Sequence, residues 1–378
     1  MSTAIVTALG AVTSVGMDAV TTCASIRAGL SRPATLDDFE VLDLEEHAPI
    51  GLTAHPVAGV TLGFSGVGRW LQLAGLALED LCRSGQLPGA AHHAFWSATR
   101  LHLVVPVLDG QRFPLDPLCA SEAELVASLA APLLTRMADC FADNLPGGLA
   151  GRFSLSRTTV RAHGRTGALA AVRDAEVEFS RGESERAVIL AVDSLIDPPS
   201  LEWLGELGRL KEDENPVGLM PGEGAVGFMI EAPRAARLRG APALARIAAV
   251  ATDSEPRAFL AGERSLGEAL ARTVEAALAA AAVPLPYVAE TLADLNGEPW
   301  RAEEYGHARV RVRPDRWASE AVEMPAASVG DIGAGMTALQ VVLACRSLAR
   351  GYAGGDQVLL TASDEYGGVG AAVIGKAG

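Results

Sequence analysis

The chain is poor in aromatic residues and in cysteine, and it has no long apolar run. Aromatic residues make up 5% of its 378 residues and 40 residues are glycine, so small and aliphatic side chains must build a closely packed core. The five cysteines lie far apart and form no Cys-x-x-Cys pair, which argues against a zinc site or a disulfide framework. We expect free, mostly buried thiols in a reducing cytoplasm. These cysteines are Cys23, Cys82, Cys119, Cys140 and Cys345.

Positive charge and membrane signals are scarce as well. The formal net charge is -15, and such a surface repels phosphate backbones, so nucleic acid is not an expected partner. No run of about 18 apolar residues occurs, so no membrane span is predicted. The stretch Met1–Val15 lacks the basic and then apolar pattern of a signal peptide, and we therefore predict a cytoplasmic protein. No motif predicts a metal ion or a cofactor.

Apolar runs of strand length alternate with segments of helical periodicity. The predicted strands are Ala4–Leu9, Leu101–Leu108, Thr158–Ala162, Ala187–Val192, Gly224–Ile230, Leu244–Ala251, Leu292–Leu295, Val358–Ala362 and Gly370–Ile374. The predicted helices are a stretch ending at Ile26, Leu71–Cys82, 121–143, Thr166–Phe179, Leu266–Ala281 and a segment after Gly335. Residues 33–60 contain several prolines and are predicted to be irregular. The alternation predicts an α/β fold with mostly parallel sheets.

The chain divides into two parts near residue 240. Ala4–Ala8, at the start of the first part, has a short echo in Ile247–Ala251 of the second. Two copies of one βα unit would explain this echo. We therefore predict an N-terminal half over residues 1–240 and a C-terminal half over residues 241–378.

Several segments together resemble β-ketoacyl synthases, in the order in which that family has them. The most specific is Pro221–Ala225, which precedes an apolar strand ending at Glu231. The others are Ile5–Gly16, Arg181–Asp193, Arg239–Ala241 and Tyr366–Gly368. The resemblance implies a thiolase-like, five-layered α-β-α-β-α fold built from two pseudo-repeated halves, and a dimer.

The same resemblance locates the catalytic positions of the family, which uses a cysteine, two histidines and a lysine. A cysteine serves there because its thiolate can carry an acyl group. In this family the cysteine lies in the nucleophile elbow, a tight turn between a strand and a helix. With Val160 aligned to the strand before this elbow, the cysteine position falls on Gly164, or on His163 if the alignment slips by one residue. Neither residue supplies a thiol, so the resemblance implies that no acyl-enzyme can form.

The remaining three positions are also substituted. Asn296 stands where the family has its first histidine, and Asp331 stands where it has the second. Ala326 replaces the lysine. An ionised Asp331 would repel an enolate, whereas Asn296 retains an amide that can donate to a carbonyl. The sequence thus predicts a ketosynthase homologue without condensing activity.

Other polar residues leave alternatives open. His163 is either a weak catalytic candidate or a structural histidine bonded to backbone. Carboxylates that gather near the lost site can do acid–base chemistry when their pKa values are pushed apart, although acidic loop residues are usually just solvated. These carboxylates belong to Glu298, Asp331, Asp364 and Glu365. Glu223 is interpreted as a structural carboxylate that accepts hydrogen bonds from loop amides.

Three functions are compatible with these observations. The first is a partner subunit resembling a chain-length factor, in a homodimer or a heterodimer with a related subunit that pairs near residues 153–160. The second is an adaptor that binds proteins through residues 32–60 and 108–122. The third is residual processing of acyl thioesters by an acyltransferase-type site. An acyl carrier protein is a further possible partner if Arg161, Arg165 and Arg173 form a basic patch.

Overall fold

The computed structural model describes residues 4–43, 48–113, 152 and 157–377. The strands in this part of the chain are β1 (Ile5–Thr13), β2 (Ala34–Asp43), β3 (Ala48–Ala54), β4 (Thr99–Val105), β5 (Thr158–Ala162), β6 (Arg186–Ser194), β7 (Glu223–Glu231), β8 (Ala245–Ser254), β9 (Thr291–Ala293), β10 (Val322–Glu323), β11 (Gln357–Ser363) and β12 (Gly368–Gly375). The helices are α1 (Ala19–Arg27), α2 (Gly66–Ser84), α3 (His93–Ser97), α4 (Gly167–Arg181), α5 (Pro198–Glu206), α6 (Pro233–Arg239), α7 (Glu268–Ala280), α8 (Pro299–Arg311), α9 (Ala326–Val329) and α10 (Gly335–Arg350).

The main sheet consists of two halves with the same strand order. One half runs β5-β4-β6-β7-β1 and the other runs β10-β9-β11-β12-β8, and β1 joins β8 at its first residues. In each half the first three strands are parallel and the next two are antiparallel. The sheet is therefore mixed rather than mostly parallel, because each half closes with two antiparallel strands. The two segments that resemble each other in sequence lie in β1 and β8. These strands occupy equivalent positions in the two halves of the sheet.

Helices form three layers around the two halves of the sheet. Helices α4 and α10 pack between the halves, since α10 contacts both β7 and β11 and α4 contacts both β6 and β8. Helix α2 covers the outer face of the first half, and α7 covers the outer face of the second. Helix α10 is buried around most of its circumference, as expected for a central helix. The predicted five-layered α-β-α-β-α fold with two pseudo-repeated halves is confirmed.

Residues 33–60 differ from the prediction because they contain the hairpin of β2 and β3. A shift of register between Leu36 and Glu40 interrupts the alternation of the strand, so the sequence shows no period of two. The hairpin nonetheless buries Leu52, and Phe39 and Val41 pack on the same small core as α5. The prolines of this segment therefore mark strand ends and turns rather than a long irregular loop.

The remaining predicted elements have mixed outcomes. Cys23, Cys82 and Cys345 are free and buried, as expected. The helix predicted at 121–143, together with Cys119 and Cys140, lies outside the described residues. Within the described ranges, no helix is long and apolar enough to span a membrane.

Candidate functional site

Gly164, the position that the sequence assigns to the family's nucleophile, lies in a tight turn between β5 and α4. Gly164 has φ +59, a left-handed conformation that glycine adopts without strain. A Cβ atom at this position would lie 3.3 Å from Cγ2 of Val107. The next residue, Arg165, is only 3% exposed. The turn therefore presents a buried guanidinium, and not a thiol, to the interior.

Arg165 forms an ion pair with Asp331, the residue at the second histidine position. Nη2 of Arg165 donates to Oδ1 and Oδ2 of Asp331 at 2.8 and 2.6 Å, and Asp331 is 1% exposed. The backbone amide of Gly333 donates to Oδ1 at 2.8 Å. Burial alone would raise the pKa of Asp331, but the charge of Arg165 outweighs it, and the pKa is lowered well below its usual value. Asp331 is therefore an ionised, paired carboxylate.

Asn296, at the first histidine position, belongs to the same group of contacts. Its Nδ2 donates to Oδ2 of Asp331 at 2.6 Å and to Oε2 of Glu298 at 2.8 Å. An amide nitrogen carries two hydrogens, so both are used by carboxylates. The expectation that Asn296 donates to a substrate carbonyl is therefore not met in this arrangement. Ala326 lies in the apolar core between the two halves of the sheet.

Two further arginines extend the contacts into a buried network. Arg209 donates from Nε and Nη2 to Glu298 at 2.7 and 3.0 Å, and from Nη1 to Glu365 at 3.1 Å. Arg301 donates from Nη1 to Oδ2 of Asp294 at 3.0 Å, and its Nη2 lies 3.5 Å from Oε2 of Glu365. We call the three arginines, these four carboxylates and Asn296 the ion-pair network. Its members are Arg165, Arg209, Asp294, Asn296, Glu298, Arg301, Asp331 and Glu365.

The structure thus gathers the carboxylates that the sequence singled out, but it pairs most of them with arginine. Burial would raise the pKa of Glu365, yet Arg209, Arg165 and Arg301 lower it to about 2. The pKa of Glu298 is lowered in the same way, chiefly by Arg209 against burial. Such pairing suits structural charges better than acid–base catalysts, whose pKa values lie near the working pH.

Asp364 is the carboxylate among them that titrates near neutrality. Burial, with the neighbouring charge of Glu365, raises its pKa to about 6. Its Oδ1 accepts hydrogen bonds from the amides of Tyr366 and Gly368 at 3.1 and 2.7 Å, and its Oδ2 accepts from Oγ1 of Thr166 at 3.2 Å. Asp364 is therefore held rigidly beside the start of α4.

His163 lies outside the ion-pair network. Its side chain is exposed, and its backbone amide donates to the carbonyl oxygen of Val105 at 3.3 Å. It lines a cleft of about 370 Å³ together with Thr166, Asp364 and Tyr366. The elbow therefore separates a solvent-accessible cleft, which contains His163 and Asp364, from the filled interior behind Arg165.

The basic patch proposed for an acidic carrier protein is not formed by these arginines. Arg165 is buried in its ion pair. Nη2 of Arg161 lies 2.5 Å from Oδ2 of Asp174, and Arg173 donates to Oγ1 of Thr252. The interpretation fails because sequence proximity at a helix start does not place three side chains on one surface.

Glu223 is structural, as interpreted, although a single backbone amide of the described residues donates to it. The amide of Val57 donates to Oε1 at 2.9 Å, and Oγ1 of Thr61 donates to the same atom at 2.6 Å. Nε of Arg69 and Oγ of Ser194 donate to Oε2 at 2.6 and 3.1 Å. The carboxylate thus ties β7 to the loop before α2.

Sequence reasoning did not place the three arginines of the ion-pair network in the lost site, although it named Arg165 as part of a possible basic patch. Arg209 and Arg301 lie in unremarkable polar surroundings of the sequence, and each is at most 3% exposed in the fold. The available signal was that the carboxylates near the lost site needed counter-charges, because buried carboxylates are almost always paired.

Comparison with solved structures identifies the fold. The chain is similar to the ketosynthase of a type II polyketide synthase in complex with its acyl-carrier protein, with a TM-score of 0.74, 17% identity and coverage of 100% of both chains. The ishigamide ketosynthase/chain length factor matches with the same TM-score, identity and coverage. An oxazolomycin ketosynthase domain of Streptomyces albus matches at TM-score 0.71 and 13% identity, over 100% of this chain and 74% of that one.

These likenesses confirm the resemblance to β-ketoacyl synthases at the level of the fold. No protein-family model and no curated protein matches the sequence. At identities of 13–17%, these structures show that the chain has the ketosynthase fold.

Proposed function

We propose that this protein is a non-condensing subunit with the ketosynthase fold, and that it pairs with a related, active ketosynthase subunit as a chain-length factor does. The observation that carries the proposal is the ion pair between Arg165, the residue after Gly164, and Asp331, the residue assigned to the second histidine position. The four degenerate positions are Gly164, Asn296, Ala326 and Asp331. If these assignments are right, a buried ion pair lies where the family binds the acyl group.

The network also opposes condensation energetically. An acyl thioester entering the site would have to displace side chains that are nearly fully buried and bonded to one another. Separating a buried ion pair without replacing its partner costs about 3–5 kcal/mol. A thioester offers only neutral acceptors in return, so the network disfavours substrate binding at this point.

A pairing surface is available along the first half of the sheet. Among the described residues β5 is the edge strand of the sheet and pairs with β4 alone. A groove of about 720 Å³ runs between α4 and β8, and its lining combines apolar residues such as Val177 and Val250 with charged residues of α4. It adjoins β5, because Asp174, which lines the groove, pairs with Arg161 of that strand. An edge strand beside a groove favours association with another chain. The similar structures include a ketosynthase/chain length factor and a ketosynthase with its acyl-carrier protein, which makes both kinds of partner reasonable for this chain.

The proposal is tested by purifying the tagged protein from its native host, with measurement of the native mass and identification of bound proteins. We expect a one-to-one complex with a ketosynthase that carries the cysteine and both histidines. Recovery of the protein alone, or only with unrelated proteins, would reject the subunit role and favour an adaptor.

A pair of surface variants locates the interface. Val177 is 44% exposed on α4, and Leu238 is 78% exposed on α6, so both accept aspartate without loss of the core. Val177→Asp is expected to dissociate the complex, because it introduces a charge into the groove. Leu238→Asp serves as the matched control and is expected to leave the complex intact.

A second candidate function rests on the cleft that contains Asp364 and His163. A carboxyl group with a pKa near 6 can take up and release a proton at neutral pH, so the cleft favours hydrolysis of an acyl thioester by activated water. Hydrolysis of acetyl and malonyl N-acetylcysteamine thioesters tests it. Activity that is lost in Asp364→Asn would support this function, and the absence of any hydrolysis above the buffer rate would reject it.

A further inference from the structure

A small acidic cavity lies between the end of β8, the start of α8 and the turn between β11 and β12. Its volume is about 30 Å³, which is enough for roughly two water-sized groups. Three carboxylates in its wall are buried, and each of these residues is at most 6% exposed. They belong to Glu255, Glu304 and Asp364. Asp364 also lines the cleft of His163, but the cavity itself belongs neither to that cleft nor to the ion-pair network.

Glu304 lines the cavity and has one unpaired carboxylate oxygen. Oγ of Ser265 donates to its Oε1 at 2.7 Å. Its Oε2 is buried and has no hydrogen-bond partner in the described part of the chain. Burial raises the pKa of Glu304, although the hydroxyls of Ser363 and Ser265 oppose the rise. Because buried polar atoms almost always have a partner, we expect the cavity to hold a hydrogen-bond donor.

The hydrogen-bond donors to the other two buried carboxylates are neutral. The backbone amides of Arg257 and Ala269 donate to Glu255 at 3.2 and 3.3 Å. Two backbone amides and the hydroxyl of Thr166 donate to Asp364. These bonds fix the carboxylates in place, but they bring no positive charge to the wall.

The arginines around the cavity are paired with other carboxylates. Nε of Arg257 lies 4.0 Å from Oε2 of Glu263, and Nε of Arg264 lies 2.8 Å from Oε2 of Glu303, among the exposed residues of the wall. The buried Arg301 forms ion pairs with three carboxylates of the ion-pair network, at 3.0–3.7 Å. The wall therefore holds buried negative charge in excess, which is costly unless a cation offsets it.

We propose that this cavity binds the ammonium group of a small primary amine. An ammonium group supplies both a positive charge and N–H donors, of which one donates to Oε2 of Glu304. Water would satisfy Oε2 as well, but it would leave the excess charge in place. In the described residues no group of three carboxylate, imidazole or thiol side chains is placed to hold a metal ion, so a cation that donates hydrogen bonds fits the cavity better. The site requires neither a partner subunit nor thioester hydrolysis.

The probe is methylammonium, whose binding to the full-length protein is followed by saturation-transfer NMR of its methyl protons. We expect saturable binding with a Kd on the order of 10 mM, the range open to a ligand of two non-hydrogen atoms. Tetramethylammonium carries the same charge without an N–H donor and is larger, so it should not displace the probe. Sodium chloride at the same ionic strength should not displace it either, because a bare ion supplies no donor to Glu304.

A pair of variants tests the place of binding. Glu304→Gln keeps the shape of the side chain but removes its charge, and it is expected to weaken methylammonium binding about tenfold or more. Glu320→Gln is the matched control, because Glu320 is exposed in the loop before β10. Circular dichroism checks that both variants fold, and the competition with tetramethylammonium decides on the parent protein if Glu304→Gln does not.

Three results would overturn the proposal. The first is that methylammonium does not bind saturably, which would leave water as the occupant of the cavity. The second is that tetramethylammonium or sodium displaces the probe as well as unlabelled methylammonium does, which would indicate a nonspecific counterion. The third is that Glu320→Gln weakens binding as much as Glu304→Gln.

Discussion

Removal of the Arg165 guanidinium is the most informative change to the ion-pair network. Arg165→Met keeps most of the length and apolar volume of the side chain but deletes its charge. It leaves Asp331 with the amide of Asn296 at 2.6 Å and the backbone amide of Gly333 at 2.8 Å. These two donors are neutral, and Asp331 is 1% exposed, so water cannot replace the lost charge.

The expected cost follows from this geometry. Deleting one partner of a buried ion pair destabilises a protein by about 3–5 kcal/mol, because the other charge stays buried without compensation. The double variant Arg165→Met with Asp331→Asn removes both charges and retains an oxygen acceptor for the amide of Gly333. We expect it to recover about 1–3 kcal/mol of the loss, the usual coupling energy between residues in direct contact.

The assay is equilibrium unfolding in urea, followed by circular dichroism, for the parent protein, both single variants and the double variant. Dissociation of any complex is controlled by repeating the unfolding at several protein concentrations. The reasoning is refuted if Arg165→Met costs less than about 1 kcal/mol, or if the double variant is as unstable as the sum of the single variants.

Four further changes test the local interactions. Gly164→Ala should cost about 1–2 kcal/mol in urea unfolding because of its left-handed φ, and no cost would contradict the turn geometry. Glu223→Gln should cost about 1.5–3 kcal/mol, since charged hydrogen bonds are lost, and should expose the loop before α2 to protease. Burial lowers the pKa of His55, so the unfolded chain takes up a proton first and stability falls as pH drops below about 6.5. His55→Leu should make the free energy of unfolding depend less on pH in this range. An unchanged pH dependence would contradict the role given to His55. The raised pKa of Asp364 acts in the opposite direction. It contributes to folding stability at low pH, and this contribution is lost as pH rises through about 6. Asp364→Asn should therefore remove this fall in stability.

Much of the fold was predictable because its elements carry simple patterns. The strand predicted at Thr158–Ala162 has the bounds found for β5, and the helix predicted at Thr166–Phe179 lies within two residues of α4, which ends before Gly182 in the left-handed conformation. The hairpin of β2 and β3 was not predictable, since its register shift removes the alternation that marks a strand. The boundary near residue 240 remains a prediction.

The sequence assigns positions to the lost catalytic residues, which remains a prediction, but it does not show the contacts that these positions make. The assignment of Gly164, Asn296 and Asp331 depends on flanking residues, which the sequence displays. The ion-pair network joins residues that are far apart in sequence, such as Arg165 and Asp331, which are 166 positions apart. No spacing rule connects such residues, because the fold alone brings the end of β5 next to the turn before α10.

The central claim is that the protein does not carry an acyl group at its elbow. Intact-protein mass spectrometry, after incubation with acetyl and malonyl N-acetylcysteamine thioesters, tests this claim most directly. The account predicts an unchanged protein mass and no release of carbon dioxide from the malonyl thioester. An acyl adduct mapped to the turn around Gly164, or decarboxylation that disappears in Asn296→Ala, would contradict it.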